Sequence, residues 1–358
     1  MQGDTYNGAG ANFDFDKEAT VMQHDFEFPN VNFSWFAEHI FRITDRWNVT
    51  PGVRVEFIQT TAAGNYHDIA RDNRDSITSD VVIFEHKKLP RKFLLGAIGS
   101  SYKFRNGTEL YGNLSQNYRS VTFNDIRVSS PSFEVDPAIE DERGFSGDLG
   151  VRGVLAKSLR YDVNVFSLYY GNRIGEYGDK RNGAAIRRRG NVGAAMIYGL
   201  ESFLELDLLS LMKRDADKWK LAVYSNFTLT EATYVKSAVK NIDGKRVEYV
   251  PVTNFKSGVQ LGYRTWKFSF QFSHLSEQYT DATNIEDGGY AGVTGVVPSY
   301  SLMDMSAGWS RKWLSLEASI NNLANVSYFT RRAIGYPGPG IIPGEGRSIY
   351  LTAGFTIR

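Results

Sequence analysis

The chain has no cysteine in 358 residues, so disulfides and thiolate metal sites are excluded, a composition that fits passage through an oxidising cell envelope. It also lacks a dominant charge. Lys and Arg total 41 against 40 Asp and Glu, which leaves no basic field to hold nucleic acid. No apolar run approaches the about eighteen residues of a membrane-spanning helix, and the mean hydropathy is -0.33. A transmembrane β-barrel survives that test, because its alternating strands average to near-neutral hydropathy. The opening residues, MQGDTYNGAG, lack the charged start, apolar middle and small-residue cleavage site of a secretion signal.

What is abundant is aromatic residues, 14% of the chain, together with segments that alternate apolar and polar. In WKFSFQFSH, Trp266, Phe268, Phe270 and Phe272 fall on one face of an extended strand and Lys267, Ser269, Gln271 and Ser273 on the other. Near the C-terminus Ile349, Leu351, Ala353, Phe355 and Ile357 oppose Ser348, Tyr350, Thr352 and Thr356 in the same way. This periodicity predicts an all-β protein of about thirteen strands, at 31–44, 49–62, 91–104, 108–120, 144–156, 159–171, 192–206, 218–234, 252–264, 266–280, 298–310, 312–326 and 346–358. A fourteenth is expected within ANFDFDKEATVM, and residues 1–25 are otherwise a poorly defined lead-in to a domain over 26–358.

Alternation alone suits a soluble sandwich, with core and solvent faces, as well as a barrel in lipid. The connections separate the two. Tight links at 45–48, 104–107, 156–159, 263–266 and 310–312 alternate with long polar segments at 63–90, 121–143, 172–191, 235–251, 281–297 and 328–345. That rhythm, with strands at or above the roughly 9–11 residues that cross a bilayer, predicts an antiparallel up-and-down transmembrane barrel of the outer-membrane type. The connection at 207–217 is longer than the rhythm requires. Trp47, Trp219, Trp266, Trp309 and Trp313 sit in or beside the tight links, where an interfacial girdle would place indoles.

The C-terminal stretch INNLANVSYFTRRAIGYPGPGIIPGEGRSIYLTAGFTIR resembles the last hairpin of TonB-dependent outer-membrane receptors. The resemblance lies in Asn321, Asn322 and Leu323, the pair Tyr328 and Phe329, and the run Gly346, Arg347, Ser348 with Tyr350. The segments YGNLSQNYRSVTFNDIRV, YGLESFLELDLL, YTDATN, VPSYSLMDMSAGWS and WFAEHIFRITDRWNVTPGVRVE are similar to ferric dicitrate receptors of Bacteroidetes-like bacteria. The resemblance implies a 22-stranded barrel around a plug domain, of which this chain would supply the C-terminal thirteen or fourteen strands without the plug. It further implies uptake of a ferric chelate, iron dicitrate or a similar siderophore, energised through TonB in the complete protein. Its partners would be that chelate, outer-membrane lipid, lipopolysaccharide and the TonB complex. No resident cofactor or metal is implied. The family usually ends in an aromatic residue, where this chain ends in Arg358.

If the final strand descends to the periplasm, Arg187, Arg188 and Arg189, with Arg331 and Arg332, lie in extracellular loops. Their planar forks match the carboxylates of a citrate chelate, although solvated loop charge and lipopolysaccharide phosphate explain them equally well. Asn117 and Arg119 share the polar face of their strand with Glu109, Asn113 and Ser115, near its outer end, where they would meet a ligand or hydrate the lumen. GYPGPG is read as a rigid loop tip, since Pro337 and Pro339 remove donors that a phosphate cradle needs. The acidic run Glu140, Asp141, Glu142 is read as solvated loop, lacking the ligand spacing of a calcium site. The five histidines form no short-spaced pair and there is no nucleophile elbow, so no enzyme is predicted. A passive pore and a soluble β-sheet binding protein are the rival expectations.

Overall fold

The computed structural model describes residues 24–71, 77–126, 133–181, 184–212, 218–237, 239–287, 292, 295–333 and 340–356. One antiparallel sheet dominates. Its staves in chain order are β1 (Asn30–Glu38), β2 (Trp47–Arg71), β3 (Ile77–Lys103), β4 (Glu109–Arg119), β5 (Glu142–Leu155), β6 (Leu159–Arg181) and β7 (Ala184–Asp207). They continue as β8 (Trp219–Ser237), β9 (Thr253–Tyr263), β10 (Trp266–Leu275), β11 (Tyr300–Arg311), β12 (Leu314–Asn321) and β13 (Ser348–Phe355). Each stave pairs with its sequence neighbours, and among the described residues no pairing joins β1 to β13. All thirteen expected strands are present, while the fourteenth, in ANFDFDKEATVM, lies outside the described residues.

Register decides what the alternation means. Across the sheet Leu206 faces Val223, Val223 faces Val259, Val259 faces Phe270, Phe270 faces Met305, Met305 faces Ile320, and Ile320 faces Ile349. A row of apolar side chains thus crosses seven staves on one face, and no layer of polypeptide covers it: Phe268 is 45% exposed and Leu351 80%. The opposite face carries Ser269 against Ser306, whose hydroxyls are 2.7 Å apart, then Ser319 and Tyr350. A water-soluble sheet does not leave so large an apolar face bare. A barrel wall in lipid does.

The long segments at 63–90 and 172–191 correct the expectation of loops. Residues 47–71 and 77–103 remain paired as strands of 25 and 27 residues, and β6 and β7 run for 23 and 24. A stave of 25 residues is about 80 Å long, far more than a bilayer needs. Beyond the membrane neither face of a ladder has to be apolar. His67 and Asp80, which bond at 2.7 Å, are therefore as acceptable there as valines, and the period-two signal vanishes although the backbone pairing continues. Similarly, 328–345 contains the hairpin Phe329–Ala333 with Gly340–Pro343. The strand expected over 312–326 stops at Asn321 and that over 266–280 at Leu275.

At the opposite end the connections are tight, as expected. Ala156, Lys157, Arg264 and Lys312 adopt φ of 51°, 63°, 51° and 51°. This left-handed backbone costs a residue with a Cβ roughly 1–2 kcal/mol. The connection after β7 begins with a four-residue helix, Leu208–Leu211, capped by Asp207, whose carboxylate accepts from the amides of Leu209 and Ser210 at 3.0 and 3.1 Å. Those amide bonds and the Ser210 hydroxyl hold the Asp207 carboxyl below its ordinary pKa.

Candidate functional site

Two of the loops at the long-stave end fold back onto the polar, inner face. In the first, Val121 and Ile126 bury against Ala62 and Val135, with Phe28, Tyr66 and Leu89 packed around them. In the second, Ile242 and Val247 bury against Val192, Ala195, Ala232 and Tyr234. This second loop is fastened to β8 by backbone bonds from Tyr234 to Lys245 at 2.9 Å and from Val247 to Ala232 at 3.0 Å. Beside the second loop lies a cavity of about 760 Å³, lined on the inner face by Asn117, Arg119, Glu142, Tyr170 and Arg173, and by Val247 and Glu248 from that loop. Its size is that of a small-molecule site.

Charge in the cavity is organised in pairs. Arg119, near the end of β4, donates to Glu142 at 3.0 Å and to both oxygens of Asp125 at 3.0 and 3.1 Å. Glu142 also accepts from the amide of Ile174 at 2.8 Å. Arg173 meets Glu248 at 3.0 Å and donates to the Tyr234 hydroxyl at 3.0 Å, while that hydroxyl donates to Glu248 at 2.9 Å. The guanidinium lies over the Tyr234 ring, 5.5 Å from its centre. Burial pushes the Tyr234 phenol well above its ordinary pKa of 10.0. Arg143 also lines the cavity and makes no ion pair with a described residue.

Of the residues singled out in the sequence, Asn117 and Arg119 line this cavity, and Asn117 accepts from Ser146 at 3.2 Å. Of the arginine clusters, the described side chains of Arg188, Arg189, Arg331 and Arg332 do not line it. Arg332 spends its guanidinium on backbone carbonyls, Gly292 at 2.8 Å and Val296 at 2.9 Å, and so ties its hairpin to the preceding loop. Arg331 is exposed. Arg188 pairs with Glu134 at 3.1 Å, and Arg189 accepts from the Asp136 amide at 2.7 Å through its carbonyl. The backbone of Arg187 lies opposite Phe133, and its side chain falls outside the described residues.

The acidic run read as solvated loop is instead the framework of the mouth. Glu140 accepts from Asn172 at 2.9 Å, Asp141 from Arg91 at 3.2 Å, from the Val121 amide at 2.7 Å and from the Tyr118 hydroxyl, and Glu142 from Arg119. Sequence spacing missed it because every partner is a long way off in the chain. Among the described residues no group of three or more His, Asp or Glu is placed to hold a metal ion.

At the tight-turn end the tryptophans pack on neighbouring staves. Trp219 packs on Tyr263 at 4.3 Å between ring centres, Trp266 lies 6.3 Å from Trp309, and Trp313 stacks on Phe355 at 5.9 Å. Trp47 donates its indole N–H to Ser100 at 3.0 Å.

A family model described as TonB dependent receptor-like, beta-barrel, matches residues 2–323. The match ends at Leu323, so of the residues that carry the C-terminal resemblance Asn321, Asn322 and Leu323 lie within it, and Tyr328, Phe329 and the run from Gly346 beyond it. A search of curated proteins returned no match. Among solved structures the chain is similar to the ferric citrate transporter FecA in its unliganded form, at 19% identity and a TM-score of 0.72, covering 95% of this chain and 47% of that one. It is similar to the ferric yersiniabactin uptake receptor FyuA from Yersinia pestis, at 16% identity and 0.70, covering 92% and 46%. It is similar, too, to the copper transporter OprC, at 12% identity and 0.69, covering 91% and 49%. The chain thus spans about half the length of the structures it matches, and at these identities the likeness is one of fold.

Proposed function

The chain belongs to the TonB-dependent receptor β-barrel family, a family of the Gram-negative outer membrane whose solved relatives are transporters and receptors rather than enzymes, and from that premise we propose that it is barrel wall of a ferric-chelate receptor. The cargo is iron dicitrate or a similar carboxylate siderophore. It docks in the cavity at the mouth, and its release inward is driven through TonB.

The observation that carries this reading is the cavity itself: about 760 Å³, on the inner face, walled on one side by the folded-in loop that carries Val247 and Glu248, with Arg119, Arg143 and Arg173 among its lining. Arg143 has no carboxylate partner among the described residues and presents a fork of donors that suits a citrate carboxylate. Arg119 is held in place by Asp125 and Glu142 with its side chain still 43% exposed, so it offers a pre-positioned edge to the same ligand. Arg331 is the third contact proposed, from the hairpin above.

Calorimetric titration of the detergent-purified protein with ferric dicitrate, with its gallium analogue and with a ferric catecholate tests the reading. Ferric and gallium dicitrate should bind alike. Arg143→Lys should weaken both about tenfold, because a point charge replaces a bidentate fork. Binding of the catecholate alone, or of none of the three, overturns it.

A further inference from the structure

The tight-turn end of the sheet carries a charge pattern that neither the family nor the cavity explains. Arg46, Arg105, Lys157, Lys218, Arg264 and Lys312 place at least one exposed cation in each described connection at that end. Among the described residues of these turns the one exposed acid is Asp45; the stretch 213–217, outside the described residues, adds Lys213, Arg214, Asp215 and Asp217. A chain with 41 cations and 40 acids does not segregate them in this way by composition. None of the six makes an ion pair with a described residue, and Arg264 instead lies over the Tyr263 ring at 5.5 Å from its centre.

A second observation is independent of charge. Lys157, Arg264 and Lys312 occupy left-handed backbone, where glycine or asparagine is unstrained. Three separate turns therefore hold a long cationic side chain at the position least suited to one. Turn geometry alone would have placed Gly or Asn there, as it does at Gly107 in the neighbouring turn.

The third is place. These turns are continuous with the indole row of Trp47, Trp219, Trp266 and Trp309, which marks the boundary of the lipid on this side. Tight turns are periplasmic in barrels of this kind. The cations therefore stand at the headgroups of the inner leaflet.

We propose that the turn cations form a binding rim for the phosphate groups of anionic phospholipid in the periplasmic leaflet. The rim fixes the height of the barrel in the membrane from below, where the tryptophans set only the depth of the apolar band. Each cation near an anionic surface strengthens such binding, and salt weakens it.

The test uses native mass spectrometry of the protein in detergent, titrated with phosphatidylglycerol or phosphatidylethanolamine. Retention of phosphatidylglycerol should exceed that of phosphatidylethanolamine and fall as ionic strength rises. The triple substitution Lys157→Asn, Arg264→Asn and Lys312→Asn should lower phosphatidylglycerol retention about tenfold. Its melting temperature should be unchanged or higher, since asparagine is at ease in that backbone. The swap Lys157→Arg, Arg264→Lys and Lys312→Arg should retain the lipid and serves as the readout if the asparagine variant fails to fold. Equal retention of the two lipids by the unaltered protein overturns the proposal. So does undiminished phosphatidylglycerol on a folded asparagine variant, loss of lipid in the charge-preserving swap, or displacement by equimolar inorganic phosphate, which would mark a bare anion site.

Discussion

The band of β8 to β13 and the mouth above β2 to β8 solve opposite problems with the same backbone. In the band, apolar side chains point outward and stay uncovered: Phe268, Phe270, Met305 and Leu351 are all exposed. At the mouth the order is reversed. The largest fully buried side chains among the described residues are Tyr234, Ile126, Ile242, Val121, Val192 and Val297, and every one belongs to a loop or to the outer end of a stave. A water-soluble core therefore exists in this protein, but only where the protein leaves the lipid. Within the band the bilayer does the covering, and the polypeptide buries almost nothing.

The comparison breaks most sharply at Phe270. Phe270→Arg places a charge near the middle of the lipid face and should cost about 2–4 kcal/mol in guanidinium unfolding from vesicles, whereas Gln271→Arg, one residue along on the wet face, should cost little. Equal costs would mean that the two faces see the same medium. At the mouth, Ile242→Ala removes apolar packing and should free its loop by roughly 2 kcal/mol, read as faster proteolysis between residues 239 and 252 while the unfolding of the barrel is unchanged.

A smaller effect is expected from Arg173→Met. Its pair with Glu248 is about one-fifth exposed on both sides, so solvent screens part of the loss and about 1 kcal/mol of loop anchoring should go. The Tyr234 phenol in the same cluster gives a pH test. Its pKa is raised on folding, so the stability it contributes is complete below its ordinary value of 10.0 and is lost as pH climbs beyond it toward the higher folded value. Loop proteolysis should accordingly show no loosening from this group between pH 6 and 9, a range below that value, and an alkaline rise that Tyr234→Phe abolishes. The smallest effect belongs to Trp266→Phe, which keeps an aromatic ring but loses the indole N–H. It should shift unfolding in vesicles by about 0.5 kcal/mol.

The band was legible in the sequence because lipid imposes a repeating demand. Every second residue of WKFSFQFSH must be apolar, and the register confirms each assignment from Trp266 to Ser273. The mouth was legible only in part. Asn117 and Arg119 could be placed by counting along β4 from Glu109, since the pleat carries the inner face onward. Arg173, Tyr234 and Glu248 could not, because they meet through the fold of a loop and share no spacing. Asp141 and Glu142 were misread for the same reason: three acids in a row look solvated until Arg91, Arg119 and the Val121 amide arrive from elsewhere. The hairpins at 63–90 and 172–191 were misread in the opposite way, since a ladder standing in water needs no pattern.

Those overlong ladders have a consequence for the cell surface. After the roughly ten residues that cross the bilayer, about fifteen residues of β2 remain paired with β3, a stiff ribbon some 50 Å tall. A molecule arriving from outside meets this ribbon before it reaches the membrane surface. The segment around His67 and Asp80 therefore offers a handle for a surface label.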